Sequence, residues 1–575
     1  MATKDAFDLD FAARQGLEKL GYTQEMTRRF TLVDDRCRYH SHAVTLGSSD
    51  ACSQIRKGTD MQVILAIMAV PYGLAAPIAT SLAGGGPAVM LWGWVLVSIF
   101  TQMLALSLAE ICSKYPTSAG AYYWCYRLAP PRYKLIFSWI NGWLNLVGNW
   151  TITLSVTFGI PQHCPPKVIV SPRTFSGTAQ LIVAGVGIYL PEWVATPWQT
   201  YVIFLGVTAV ACGFCLFFNK YLPSIDIACA CWTALGIIIT LICVSAKATA
   251  GRRPASFAFD GFEPASGWTP GWSFFIGLLP VSESLFRTSE TNLRGLLGTV
   301  TSMAEEVHDP SKILPKAISL SVPIGTIWGV VFLLPILFTL PDVTTLLQVS
   351  SGQPIGVMFT LIMGSQAGGF GLVTKLELTH LVFGVGMFCA ISISCAASRA
   401  TWAFARDKAI PFHAHFSKIS PLLPDVPVNA LLLSTFIQVL LGLIYLGSSA
   451  AFNAFVGVAV MCLGASYALP VAISLAGRRR EVSDAPFQLG AGVGTVVNTI
   501  AVLWVAFAIV LFSMPAIVPV TRVTMNYASV VFIGFAVVSA VWYWINGRFH
   551  YTGPPVPPTE VTELAPSTPT TSKGE

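Results

Sequence analysis

The sequence predicts an all-α membrane protein of about twelve transmembrane helices, and three observations carry that prediction. Hydrophobic residues fill 54% of the 575 positions and charged residues only 11%, about half the charged share of an average soluble chain. Mean hydropathy is +0.65. The apolar residues fall in about a dozen stretches near the ~20 residues that a ~30 Å hydrocarbon core demands. Such a composition excludes a water-soluble enzyme. The net charge of +6 is spread over short connections instead of one face, which excludes a nucleic-acid partner and leaves the lipid bilayer as the surroundings to reason with.

Residues 1–60 read as a cytoplasmic N-terminal segment, and the first thirty carry no apolar run of the kind a secretory signal needs. Residues 61–549 read as the polytopic domain. Span one, Met61–Leu82, and span two, Ala88–Leu108, are divided by Gly84-Gly85-Gly86-Pro87, through which no helix persists. Span three starts near Leu135, breaks after Gly159 and resumes over Thr178–Leu190. Spans four and five follow at Gln199–Phe217 and Ile225–Ser245, and span six begins at Trp272. The remaining six are Ala317–Leu340, Leu381–Phe404, Asn429–Leu446, Ala451–Leu475, Leu489–Met514 and Tyr527–Ile545. Residues 550–575 are rich in Pro, Thr and Ser and read as a disordered cytoplasmic tail.

Orientation follows from the basic residues, because cytoplasmic connections retain Lys and Arg during insertion. Lys114, Arg127, Arg132, Lys134, Arg406, Lys408 and Arg478-Arg479-Arg480 all follow even-numbered spans. Both termini are therefore expected in the cytoplasm.

Span one holds two prolines around a glycine, Pro71-Tyr72-Gly73-Leu74-Ala75-Ala76-Pro77. Each proline removes a backbone donor and crowds the preceding turn, so an unwound turn is expected at mid-membrane. Exposed peptide groups there are tolerable only against protein or a cavity, and broken spans of this kind bind solutes in secondary transporters; a packing kink is the other reading. Charges are nearly absent from the spans, with Glu110 and Asp226 at span ends. Recognition should then rest on backbone groups, aromatics and hydroxyls, which suits a small zwitterion or organic cation. The segment Tyr122-Tyr123-Trp124 reads as a short amphipathic helix with its rings at headgroup level. Cys212 with Cys215 and Cys229 with Cys231 sit inside apolar runs and lack the ligand partners of a metal site, so no metal is expected. Gly490, Gly492 and Gly494 open a membrane helix with no preceding strand, which favours close packing over nucleotide binding. Asn149-Trp150-Thr151 matches a glycosylation triplet but lies inside span three.

The stretches Gly84–Trp94, Leu108–Trp143, Met303–Ile318 and Ser398–Phe412, with the blocks Glu305-Glu306-Val307-His308-Asp309-Pro310 and Trp402-Ala403-Phe404-Ala405-Arg406-Asp407, resemble the fungal amino acid, choline and gamma-aminobutyrate permeases of the amino acid, polyamine and organocation superfamily. The resemblance implies a transporter with spans one to five and six to ten as inverted repeats, plus two C-terminal helices. It implies no cofactor beyond an ion gradient, with H+ as the coupling ion, and a plasma membrane location with the vacuolar or another internal membrane as alternative. Carried over by position, it assigns solute contacts to Pro71, Tyr72, Gly73, Leu74 and Ala75 in span one, to Asn141, Trp143 and Asn145 in span three, and to Ser392 in span eight. Glu305, Glu306, Arg399 and Arg406 stand at the cytoplasmic boundary, where ion pairs would latch an inward gate; solvated surface charges are the other reading.

Four segments depart from that pattern: 35–60, 160–177, 281–298 and 373–380. Intron-derived codons retained in the translated sequence would produce such interruptions, and sequencing the transcript across 281–298 decides the matter. The expected function is import of a small amine-containing solute, such as an amino acid, gamma-aminobutyrate or choline, by alternating access. A non-transporting nutrient sensor and a product impaired by interruptions in spans three and six are the alternatives.

Overall fold

Glycine and proline set where the first helices start and stop. In the computed structural model, which describes residues 18, 22, 70–75, 78–162, 174–190, 193, 195–249, 251–278, 310–347, 354–365, 378–421, 423, 426–447, 449–515, 518–521 and 525–555, the described residues of span one are helical, as α1 (Val70–Ala75) and α2 (Ile78–Gly85). Gly86 then turns the chain at φ 74°, a conformation that glycine adopts without a Cβ penalty, and Pro87 opens α3 (Pro87–Lys114). The short α4 (Ala121–Leu128) leads into α5 (Lys134–Thr157). At 24 residues, α5 is about 36 Å long and crosses a bilayer by itself. Span three is therefore not divided within its core.

The polar insert after it forms a two-stranded antiparallel pair, β1 (Ile160–Gln162) with β2 (Thr174–Ser176), the one departure from an all-helical architecture among the described residues. Its ends meet: a Cβ on Gly177 would lie 2.0 Å from the Cα of Gly159. The insert thus starts and ends at a closed junction, and α6 (Thr178–Tyr189) follows.

Next come α7 (Pro197–Phe217), α8 (Leu222–Lys247) and the short α9 (Ala255–Asp260), then a helical stretch over 270–278. The chain continues with α10 (Pro310–Phe338), α11 (Val343–Leu347), α12 (Pro354–Met363) and α13 (Leu378–Arg406). Residues 378–380 of the segment expected as a loop are thus the first turn of α13. The last part is α14 (His413–Phe416), α15 (Val428–Gly447), α16 (Ser449–Ala476), α17 (Ala491–Ser513), α18 (Ala528–Trp542), a π turn over Tyr543–Gly547 and α19 (Arg548–His550). Among the described residues, nine helices are long and apolar enough to cross a membrane. The more polar α5, with Asn141, Asn145 and Asn149, is not one of the nine.

Contacts join each of the first four spans to the span five places later. Spans one and six approach backbone to backbone, since a Cβ on Gly84 would fall 2.3 Å from the Cα of Gly277, and Ser273 Oγ donates to the Gly84 carbonyl at 2.7 Å. Spans two and seven are tied by Trp94 Nε1 donating to the Thr326 carbonyl at 3.1 Å. Trp150 Nε1 donates to Thr401 Oγ1 at 3.1 Å between spans three and eight, and Tyr201 Oη to the Val439 carbonyl at 3.2 Å between four and nine.

Two peripheral expectations are corrected. Tyr122, Tyr123 and Trp124 do not face headgroups; all three are buried, with Trp124 Nε1 donating to the Tyr115 carbonyl at 2.8 Å. The tail begins packed: Tyr551 is buried with its hydroxyl 2.8 Å from Ser138 Oγ, and Gly553 lies against Tyr126 and Leu135. The expected insert 35–60, residues 281–298, 373–377 and the tail from 556 lie outside the described residues.

Candidate functional site

The expected unwinding over Pro71–Ala75 is not what α1 does. Residues 70–75 are helical, and Ala76 and Pro77 lie outside the described residues. A proline disturbs the turn before it, so Pro71 leaves the following residues free to coil. Pro71, Tyr72, Gly73 and Leu74 are all buried. Tyr72 fastens α1 to its neighbours: its hydroxyl donates to the Val156 carbonyl at 3.0 Å and lies 3.4 Å from Thr178 Oγ1, which itself donates to Val156 O at 2.9 Å. The ring packs on Gly386 of α13, where a Cβ would come within 2.7 Å of it.

From that point a polar stripe runs down α5. Asn141, Asn145, Asn149, Thr153 and Thr157 recur every fourth residue, a length of about 24 Å that drifts by about 40° per step around the helix. Asn141 Nδ2 donates to the Ser466 carbonyl of α16 at 2.7 Å and its Oδ1 accepts from Ser466 Oγ at 3.1 Å. Asn145 Nδ2 reaches Ser466 Oγ at 3.4 Å, and Asn149 Nδ2 donates to Asn145 Oδ1 at 2.7 Å. Thr153 and Thr157 donate to carbonyls four residues back, at 2.7 and 2.8 Å. Every one of these donors is satisfied by a neutral acceptor. Asn141 is fully buried and binds a neighbouring helix, the usual role of a lone amide in a membrane span. Asn145 is half-buried and lines a small cavity with Ser118, Gly120, Phe404 and Tyr467.

The other assigned residues separate. Trp143 lines a different hollow, toward α18. Ser392 is half-buried on α13; six residues from Gly386, it is turned about 120° from the face that meets Tyr72. The structure brings Tyr72 to the α5 stripe, while Trp143 lines the other hollow and Ser392 lies on another face of α13 than Gly386. Asn149, Thr153 and Thr157 were missed, although their four-residue spacing with Asn141 and Asn145 is readable in the sequence.

At the end of the bundle where α13 stops, Arg406 and Asp407 form a closed cluster. The Arg406 guanidinium lies 4.4 Å from the Tyr22 ring centre and 4.6 Å from that of Trp402, and its Nη2 donates to Ser118 Oγ at 3.3 Å. Beside it, the buried Asp407 carboxylate accepts from Tyr122 Oη at 2.7 Å and Tyr22 Oη at 3.2 Å. Burial, then the Asp407 charge, raises both tyrosine pKa values well above the usual one, so both remain donors. This cluster holds Tyr22 against the start of α4 and the end of α13. Arg399 is buried in α13 with Nη1 2.5 Å from Cys395 Sγ; Glu305 and Glu306 lie outside the described residues.

Glu110, expected at a span end, is buried within α3. Its two carboxylate oxygens both accept from Arg479 Nη2, at 2.6 and 2.8 Å, and one also accepts from the Leu489 backbone N–H at 3.1 Å. Arg479 Nη1 in turn donates to the Gly490 and Ala491 carbonyls at 2.6 and 3.1 Å. Gly494 is required beside it, since a Cβ there would lie 2.0 Å from the guanidinium; Gly492 meets nothing.

Comparison with known proteins agrees with this architecture. The model of the amino acid permease family matches residues 61–537. The chain belongs to that family. It is a transporter, and not an enzyme. This permease is 30% identical over 555 residues to the amino-acid permease BAT1 of Arabidopsis thaliana, covering 94% of this chain and 95% of the relative. It is 30% identical to the polyamine transporter TPO5 of Saccharomyces cerevisiae, over 87% of this chain and 76% of that one. It is 29% identical to a choline transporter of the same yeast, over 83% and 79%. In this permease the helices that carry Tyr72, the α5 stripe and the Arg406–Asp407 cluster all lie inside the matched region.

Proposed function

We propose that this permease imports a small amine-containing solute, such as an amino acid, gamma-aminobutyrate or choline, by alternating access across the plasma membrane, driven by a proton gradient and with both termini in the cytoplasm. The observation that carries the reading is the α5 stripe: buried amides and hydroxyls leading from Tyr72 to the cavity at Asn145 in a chain of this family. Amide and carbonyl oxygens stabilise an ammonium by ion–dipole contact without a permanent negative charge in the span. The relatives' names share that chemistry, being an amino-acid, a polyamine and a choline transporter. Neutral acceptors favour a solute with one positive charge over a polyamine, whose several ammonium groups call for carboxylates.

In the state described here Tyr72 is hydrogen-bonded to Val156 and Thr178, and the Arg406–Asp407 cluster joins Tyr22, α4 and the end of α13. Release would require that cluster to part as α1 and α13 shift relative to α5. Reconstituted vesicles test the proposal: labelled amino acids, gamma-aminobutyrate, choline and spermidine are offered with and without an imposed pH gradient. Accumulation of a singly charged amine that collapses with the gradient supports the reading. Binding without accumulation contradicts it and favours the sensor, and neither binding nor accumulation favours an impaired product.

A further inference from the structure

Trp143 opens on a hollow of about 320 Å³ between α5, α16 and α18. Its walls are almost wholly apolar, with Trp139, Trp143 and Val147 on one side and Phe532, Phe535 and Ala540 on the other. The α18 helix is a membrane-spanning candidate, and its outward residues Ile533, Val537 and Val538 are each more than half exposed. The hollow therefore opens to hydrocarbon, not to water. Atoms lining an empty gap forfeit their dispersion contacts, and in a bilayer the molecules at hand to restore them are acyl chains.

Basic residues stand in sequence beside two helices that line the hollow, without lining it themselves. Ser138 Oγ lies 2.8 Å from Tyr551 Oη, and the rings of Trp139 and Tyr543 are 5.2 Å apart. The start of α5, with Arg132 and Lys134, therefore stands beside α19, with Arg548 and His550. Lys134 Nζ sits 5.6 Å from the centre of the Tyr126 ring and the Arg548 guanidinium 5.2 Å from that of Trp544. Long basic side chains lying over aromatic rings at a span end place their charge at headgroup level. Basic pockets between spans attract anionic headgroups.

We infer that this crevice holds one acyl chain of an anionic glycerophospholipid, with its phosphate set against Lys134 and Arg548. Occupancy would brace the side of α5 toward α18, while the polar stripe meets α16 and α1. The site is separate from the solute pathway and stands whether or not the transported solute is the one proposed.

Native mass spectrometry of the full chain, purified in mild detergent with either dioleoylphosphatidylserine or dioleoylphosphatidylcholine, tests it. The expected result is one retained phosphatidylserine. The double variant Lys134→Gln/Arg548→Gln should weaken retention about thirtyfold, the loss of two interfacial charges. Ala540→Phe, which fills the crevice from an exposed position, should weaken it at least as much, while Val537→Phe on the outward face of α18 should leave it unchanged. A melting temperature checks that each variant is folded; should Ala540→Phe fail to fold, the charge variant decides alone. Equal retention of both lipids, or undiminished retention in the charge variant, overturns the assignment. So does a dimer that Ala540→Phe dissolves, which would put a second copy of the chain in the crevice.

Discussion

At the end of the bundle where α3 and α13 stop, charge is buried and paired; along α5, polarity is buried and neutral. Glu110 with Arg479 and Asp407 beside Arg406 occupy the first region, each fixed by groups from three or more parts of the chain. Asn141, Asn145 and Asn149 occupy the second, held by a serine and by one another. The difference separates two tasks. A buried ion pair is poor at adding stability but severe when broken, which suits a contact that defines one closed state. A neutral amide exchanges one acceptor for another at small cost, which suits a surface that a solute must cross and leave.

The largest expected effect breaks the charged region. Arg479→Met should destabilise the protein by about 3–5 kcal/mol by stranding Glu110, and adding Glu110→Met should recover most of that loss. Thermal unfolding of the purified single and double variants checks it, and additive losses would remove the distinction between the regions. Next is Tyr122→Phe, which deletes the 2.7 Å bond to Asp407 and should cost about 1.5–3 kcal/mol, the range for a hydrogen bond to a charge. It should also speed solute release, read as efflux from preloaded vesicles.

The pH dependence of that cluster has a definite sign. Tyr22 and Tyr122 have raised pKa values in the folded protein, so their contribution is full below the ordinary tyrosine value near 10 and is lost as pH rises through their folded values. Melting temperature should fall above pH ~10 in the native chain and fall less in the double variant Tyr22→Phe/Tyr122→Phe. The smallest effect belongs to the insert: joining Gly159 directly to Gly177 should leave uptake within about twofold, because the ends of the excised segment already touch.

The spans were legible because hydropathy is a local property of the chain. Span four ends at Phe217 in both readings, and spans seven to twelve begin or end within a few residues of their helices. Contacts between distant residues were not legible. Glu110 finds Arg479 369 positions later, and no pattern within α3 announces the partner. Tyr122, Tyr123 and Trp124 carry the same amphipathic signature whether they face headgroups or protein, and only tertiary packing separates the two. The helicity of α1 has a different origin: a proline acts on the turn before it, so the residues that follow Pro71 are free to coil. The α5 stripe was present in the spacing, but five small polar residues spread over four turns do not stand out in a span rich in Trp and Leu.

The most direct test of the central claim is the concentration dependence of uptake by Asn145→Ala, with the amount of membrane protein measured alongside. If the neutral stripe meets the solute, KM should rise about tenfold, the loss of one polar contact, with the melting temperature within a few degrees of the parent protein. An unchanged KM in a folded, correctly inserted variant would contradict it and move the solute path away from α5.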